Sequence, residues 1–292
     1  MSFVIMTDTS ANLSKEIASQ NRISIVPMCY VLSGEEKSCL YPDDFADEAF
    51  YTSLKKGMRV TTSQINPDRY AEHMRPVLEN GEDILFICLS SGVSGSFASA
   101  QIAKTELLEE YPERKIEVVD SLSAGLGEGL LVLRAIECRD QGMTLADTFQ
   151  KINKMKHSIF QVFFVDDLMY LKHTGRVSGA VAAVGSILGI KPLLKGDPHG
   201  RIVACGKVRG RQQAIKALAE KYFTLAKNAV EQTVAITHTN CLKDAELLKD
   251  MLMAKLPPKK LILLKHEPAT GSHLGPGALA LFFEGDSDVR TR

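Results

Sequence analysis

Asp83-Ile84-Leu85-Phe86-Ile87-Cys88-Leu89, followed at once by Ser90-Ser91-Gly92-Val93-Ser94-Gly95-Ser96, is the stretch that decides the fold class. The first seven residues form a short apolar run with polar neighbours, which reads as a buried strand. The segment from Ser96 to Tyr111 then places Phe97, Ala100, Ile102, Leu107 and Leu108 at roughly helical spacing. A strand, a hydroxyl-rich turn and a helix therefore follow one another, and in an open α/β sheet ligands bind beyond the carboxyl ends of the strands, where this turn falls. A second hydroxyl-rich turn, Thr61-Thr62-Ser63-Gln64, lies upstream, and both are expected where strand or loop passes into helix. A helix N-terminus offers unpaired N–H groups and the positive end of the macrodipole, and Ser and Thr add donors without charge. Glycine at 92 and 95 is expected to let the backbone approach a ligand or take a positive φ. The plainer reading makes Ser90 or Ser91 a helix cap. With the glycine-rich stretch Gly271-Ser272-His273-Leu274-Gly275-Pro276-Gly277, the two turns point to one shared anion site.

The same alternation extends along the chain. Phe3 to Thr7, Ile23 to Tyr30 and Ile116 to Asp120 read as strands, and Glu128 to Gln141 and Leu145 to His157 as amphipathic helices through Leu131, Ala135 and Cys138 and through Phe149, Ile152 and Met155. Ser158 to Val165 is a continuous apolar strand. Beyond it, Leu171 to Gly200 is rich in glycine and lysine, followed by strands at Ile202 to Val208 and Thr233 to His238 around a helix from Arg211 to Leu225. A helix from Asp244 to Lys255 and strands at Leu261 to Leu264 and Leu279 to Phe283 complete the pattern. This order predicts an α/β protein with parallel or mixed sheets flanked by helices, in two α/β domains, 1–157 with the hydroxyl-rich turns and 158–292.

Composition narrows the function. The 292 residues carry 35 Lys plus Arg against 35 Asp plus Glu, so no net field favours a polyanion and nucleic acid is excluded as a partner. The cysteines at 29, 39, 88, 138, 205 and 241 form no C-x-x-C pair, which argues against a zinc or redox motif and fits a reducing compartment. Met1 to Asp8 lacks the basic lead of a signal peptide, and Val177 to Ile190, interrupted by glycines and serines, falls short of a membrane span. The expected location is the cytoplasm.

No motif compels catalysis. Gly92-Val93-Ser94-Gly95-Ser96 misses the nucleophile pattern G-x-S-x-G by its last residue, although His266 or His273 could activate Ser94 in space. Gly125-Leu126-Gly127-Glu128-Gly129 lacks dinucleotide spacing and reads as close helix packing. His266-Glu267-Pro268 lacks the second histidine of a zinc helix, and no Walker A sequence exists. Lys172-His173-Thr174-Gly175-Arg176 adds an arginine whose planar fork suits carboxylate or phosphate. Three readings remain: a lipid carrier, an acyl hydrolase using Ser94, and a phosphate-metabolite-binding, kinase-like enzyme.

Six ordered motifs decide among them. Thr7-Asp8-Thr9-Ser10, Thr62-Ser63-Gln64, Ser91-Gly92-Val93-Ser94-Gly95-Ser96, Tyr170-Leu171-Lys172-His173-Thr174-Gly175-Arg176, Ile190-Lys191-Pro192-Leu193-Leu194 and Gly271-Ser272-His273-Leu274-Gly275-Pro276-Gly277 together resemble the DegV family of bacterial fatty-acid-binding proteins. The resemblance runs the length of the chain. It implies a two-domain α/β protein, not itself an enzyme, that buries a long-chain fatty acid such as palmitate in a tunnel. It further implies a role as the binding subunit of a fatty acid kinase, whose separate catalytic subunit phosphorylates the carboxyl group for phospholipid synthesis, with a transient membrane contact and no cofactor or metal. By motif match the carboxylate falls on Thr62 and Ser94 with Ser63 beside them and His273 at the polar end, and Arg176 meets the partner or the phosphate. Two positions depart from the family pattern: Ile65-Asn66-Pro67, where a proline commonly follows the glutamine directly, and Ser96, where threonine is frequent. A carboxylate met by neutral donors avoids the desolvation of a buried cation. Phe160, Phe163, Phe164, Ile187 and Leu188 suffice to line a tunnel and would serve equally as core.

Overall fold

The computed structural model describes residues 3–177 and 189–292. Its strands in chain order are β1 (Phe3–Asp8), β2 (Ser24–Val26), β3 (Cys29–Leu32), β4 (Glu35–Ser38), β5 (Val60–Thr62), β6 (Asp83–Cys88), β7 (Ile116–Asp120), β8 (Ile159–Phe164), β9 (Ile190–Gly196), β10 (Ile202–Arg209), β11 (Thr233–His238), β12 (Lys260–Lys265) and β13 (Leu279–Glu284). The α-helices of the described residues are α1 (Lys15–Gln20), α2 (Asp47–Lys55), α3 (Pro67–Glu79), α4 (Ser96–Glu110), α5 (Leu126–Asp140), α6 (Leu145–Met155), α7 (Met169–His173), α8 (Arg211–Leu225), α9 (Leu242–Lys255) and α10 (Pro268–Leu274). Strands β2-β1-β6-β7 form a parallel sheet, β10-β9-β8-β13-β11-β12 a mixed sheet, and β4-β3-β5 a small antiparallel sheet. The fold is thus α/β with parallel and mixed sheets flanked by helices.

The layers follow from which faces are apolar. Strand β6 is buried at every position, so its sheet needs cover on both sides. Helices α3 and α4 supply it on one face, through Tyr70, Met74, Leu78, Ala100, Ala103 and Leu107. On the other, α5 packs against strands of both the parallel and the mixed sheet, and α8 and α9 cover the far face of the mixed sheet. Strand β8 shows the period of two: Phe160, Val162 and Phe164 point into the outer core with α8 and α9, whereas Ile159 and Phe163 join the central core shared with the first sheet.

Some elements differ from the sequence expectation. The single strand expected from Ile23 to Tyr30 is two, β2 and β3, in different sheets. Pro27 lies between them, and a residue without an N–H cannot continue a ladder. Helix α2 was not foreseen, and α3 was expected to open directly at the Thr61-Thr62-Ser63-Gln64 turn; α3 runs through a charged segment with only three fully buried apolar positions, Tyr70, Met74 and Leu78, one turn apart. Its Asn66 cap accepts the Arg69 N–H at 2.8 Å and Pro67 sits at the first helical position. The helix therefore begins beyond the Thr61-Thr62-Ser63-Gln64 segment, and Thr62 ends strand β5 rather than opening a helix.

One buried acid joins α5 to the first strand. Thr7 Oγ1 lies 2.8 Å from the Ile87 carbonyl and 2.9 Å from Glu128 Oε1, and Ser10 Oγ lies 2.5 Å from Glu128 Oε2. Thr7 has one hydroxyl proton for two acceptors, so the second contact requires a proton on Glu128. Burial, with Asp8 close by, also pushes the Glu128 carboxyl well above its ordinary range. A carboxyl raised on folding stabilises the fold below its unfolded value and loses that contribution as pH rises toward the folded value. Glu128→Gln should therefore gain stability relative to the parent by about 1.4 kcal/mol for each pH unit above the ordinary glutamate value, read from urea unfolding across pH. A pH-independent difference would show that Glu128 is ionised in the folded protein.

Candidate functional site

The turn after β6 is anchored by its first two serines. Ser90 Oγ donates to the Gly200 carbonyl at 2.9 Å and accepts the Gly92 N–H at 3.1 Å, and Ser91 donates from both its N–H and its hydroxyl to Asp120. Neither serine caps a helix, because α4 begins at Ser96 behind Gly95. The later hydroxyls are spared for other work. Ser94 Oγ lies 2.9 Å from Ser96 Oγ and accepts the Ser96 N–H at 3.2 Å, while Ser96 Oγ accepts the Ile65 N–H at 3.2 Å. With Ser96 as donor to Ser94, the Ser94 proton is available to an incoming acceptor.

Gly92 and Gly95 do not serve the purpose expected of them. Neither takes a positive φ, and both face protein. A Cβ on Gly92 would lie 2.5 Å from the Gly200 carbonyl carbon and 2.6 Å from the His199 oxygen, and one on Gly95 would overlap the Gln64 amide. Their lack of a side chain lets the turn close against the β9–β10 hairpin and the Gln64 segment. Gln64 also donates to Ser99 Oγ at 3.1 Å. The two hydroxyl-rich segments are thereby held side by side.

His273, in the last turn of α10, completes the polar group: its Nε2 is 2.8 Å from Thr62 Oγ1. Burial, with the Arg176 charge adding to it, lowers the imidazole to about 4, so the ring is neutral near pH 7. Arg176 is half-buried, its guanidinium donates to the Thr174 carbonyl, and desolvation lowers its pKa. Thr62, Ser63, Gln64, Ser94, Arg176 and His273 all line one cavity of about 820 Å³ including its mouth. The remaining wall is mostly apolar, with Met28, Leu89, Val93, Phe163, Leu171, Ile202, Leu274, Ala280 and Phe282.

Of the residues expected to line a tunnel, Phe163 does so. Phe160 and Phe164 do not: they occupy alternate positions on β8 and face the outer core, and Ile187 and Leu188 lie outside the described residues. Sequence reasoning missed Gln161, which shares the cavity face of β8 with Phe163, and the Gly200–Ile202 wall. The one polar residue within Ile159–Phe164 was the available signal for the first. Thr270 was missed as well, and His266 was weighed as a partner of Ser94 and as part of a zinc helix, never as a cavity residue. The structure gives His266 a different partner, Thr270 Oγ1 at 2.9 Å, and among the described residues no imidazole bonds Ser94. The wall is pinned from the C-terminal tail, where the buried Arg290 guanidinium donates to the Leu122 carbonyl and Ser123 Oγ, each at 2.7 Å, and to the Asp197 carbonyl at 3.3 Å.

The model of the family described as "Uncharacterised protein, DegV family" matches residues 2–286. The chain belongs to the DegV family. A DegV domain-containing protein of Clostridium perfringens is 35% identical over 285 residues, covering 98% of each chain. Among solved structures, a fatty-acid-binding DegV family protein of Thermus thermophilus superposes with a TM-score of 0.88 at 26% identity, covering 98% of this chain and 100% of its own. DegV of Bacillus subtilis, described as a fatty acid binding protein, gives 0.83 at 29% identity, covering 98% and 100%. In this DegV-family protein no helix among the described residues is long and apolar enough to cross a membrane.

The seam at the first glycine is testable. Gly92→Ala must displace backbone, whereas Gly95→Ala need displace only the end of the Gln64 side chain. Gly92→Ala should cost about 1–3 kcal/mol in urea unfolding, the usual range for overpacking, and Gly95→Ala clearly less. Equal effects would show that the hairpin yields as readily as a side chain.

Proposed function

We propose that this chain binds one long-chain fatty acid, its carboxylate at Thr62, Ser94 and His273 and its tail in the apolar cavity, and presents the carboxyl group to a separate fatty acid kinase subunit. The observation that carries the binding half is the gathering of uncharged donors on the wall of one mostly apolar cavity. The relatives described as fatty acid binding support the same ligand class. When a carboxylate accepts from Thr62, His273 Nε2–H donates to Thr62 Oγ1, and the two bonds polarise one another. Ser94 is freed in the same way by Ser96, with Ser63 beside them at the exposed edge. Arg176 supplies positive charge without being enclosed as a buried cation.

The kinase half rests on the family resemblance, as does passing contact with a membrane during fatty-acid exchange; a cytoplasmic location rests on the scattered cysteines, and the division into units 1–157 and 158–292 on the order of strands and helices. In this reading the partner transfers the γ-phosphoryl group of ATP to a carboxylate oxygen, releasing ADP and leaving an acyl phosphate. The present chain contributes position alone. Hydrolysis by Ser94 is disfavoured because its hydroxyl is bonded to Ser96 and to no imidazole among the described residues. A phosphate metabolite is disfavoured because a dianion would meet one guanidinium in an otherwise mostly apolar cavity.

Thr62→Val and Ser94→Ala should each weaken binding of a fluorescent fatty acid by about 1–3 kcal/mol, roughly five- to 150-fold, with unchanged circular dichroism. Parent-like affinity in both would remove the carboxylate from these hydroxyls. Arg176→Ala should lower the rate of acyl-phosphate formation, reconstituted with a kinase subunit and ATP, more than it lowers fatty-acid affinity. A loss of affinity that accounts for the whole rate change would assign Arg176 to ligand binding alone.

A further inference from the structure

The start of α10 carries a buried hydrogen-bond chain that the carboxylate site does not use. Glu267 accepts the Ala269 N–H at 2.6 Å and the Thr270 N–H at 2.7 Å, and it also accepts the Thr270 hydroxyl. Its own N–H donates to Asn12 Oδ1 at 2.7 Å, which fixes the segment against the first half of the chain. Thr270 has a single hydroxyl proton, and Glu267 takes it. The 2.9 Å contact between Thr270 Oγ1 and His266 Nε2 is then an N–H···O bond with the proton on Nε2, so Nδ1 carries the lone pair. That Nδ1 is buried and has no hydrogen-bond partner among the described residues. The His266 ring lines the cavity together with Thr270, Gln161 and Phe282. Burial, reinforced by His238, lowers this imidazole to about 4, which keeps it neutral and its acceptor bare near pH 7.

A dry apolar tail passing this point leaves a buried acceptor unpaired, which is unfavourable. A tail bearing a donor at the same depth removes that penalty. A site with a placed hydrogen-bonding group discriminates against an analogue that lacks the matching group. We propose that the cavity prefers acyl chains carrying a hydroxyl group, whose O–H donates to His266 Nδ1. This inference rests on the fatty-acid reading above and names the ligand class of the same site.

The test compares octadecanoic acid with isomers bearing one hydroxyl at successive positions along the chain, by competition against a fluorescent fatty acid. The pH is kept well above the value of about 7 to which burial raises Glu267, so that the Thr270 proton stays on that carboxylate. A narrow set of positions should bind at least about tenfold tighter than the plain acid. His266→Phe, which keeps a ring and removes the acceptor, should abolish the advantage, read within the variant as the ratio of its affinities for the preferred isomer and the plain acid. Nitrogen NMR of the parent gives a readout independent of that variant's folding: Nδ1 of His266 should resonate as unprotonated and should shift with the preferred isomer but not with the plain acid. Equal affinity for all isomers and the plain acid, an advantage that survives in His266→Phe, or a protonated Nδ1 would each overturn the inference while leaving fatty-acid binding standing. Failure of every acid to bind would overturn both.

Discussion

A carboxylate taken out of water must find donors already in place, because the binding energy of one small group cannot also organise them. At the proposed carboxylate site the organisation comes from a seam between two layers. The turn after β6 closes against the β9–β10 hairpin through the Ser90–Gly200 bond, with Gly92 at van der Waals limits, and Arg290 joins the same hairpin to the loop after β7. With Ser90 spent on this seam and Ser91 on Asp120 at the end of β7, Ser94 and Thr62 are left facing the cavity in fixed positions. Groups that appear interchangeable in the primary structure, a row of serines and threonines, are thereby divided between anchoring the turn and lining the cavity.

Proton counting extends the same logic inward. The single hydroxyl protons of Thr7 and Thr270 decide the protonation of Glu128 and the tautomer of His266. Both arguments come from heavy-atom geometry; the raised Glu128 carboxyl agrees with the first, and the lowered His266 imidazole keeps the ring neutral, as the second requires. Glu128 is neutral because two acceptors compete for one donor; His266 presents a lone pair because its neighbour's donor is already used. Burial makes each assignment consequential, since an unsatisfied polar atom inside the protein is costly and a solvated one is not.

Much of the fold was legible because its signals are local. The apolar run of Asp83–Cys88, the helical spacing from Ser96 onward, and the alternation of short strands with helices require only neighbours along the chain to interpret. The motifs around Thr62, Ser94, Arg176 and His273 marked one family and a set of polar residues without geometry. Pro27 was equally visible as a strand breaker, yet the run it interrupts was read as one strand because both sides are apolar.

The tertiary structure alone decided which apolar residues face the cavity. Phe160, Phe163 and Phe164 are chemically alike, and a one-residue step along β8 sends them to opposite faces, so the distinction depends on where each face of the sheet is covered. It also decided the role of Gly92, which depends on a hairpin more than a hundred positions away in the chain, that of Gly95, which depends on Gln64, and the pairing of Thr62 with His273, separated by 211 positions. Local physical chemistry determined what each segment could become. Which hydroxyls line the cavity, and which imidazole nitrogens are buried without a partner, followed only when distant segments packed around them.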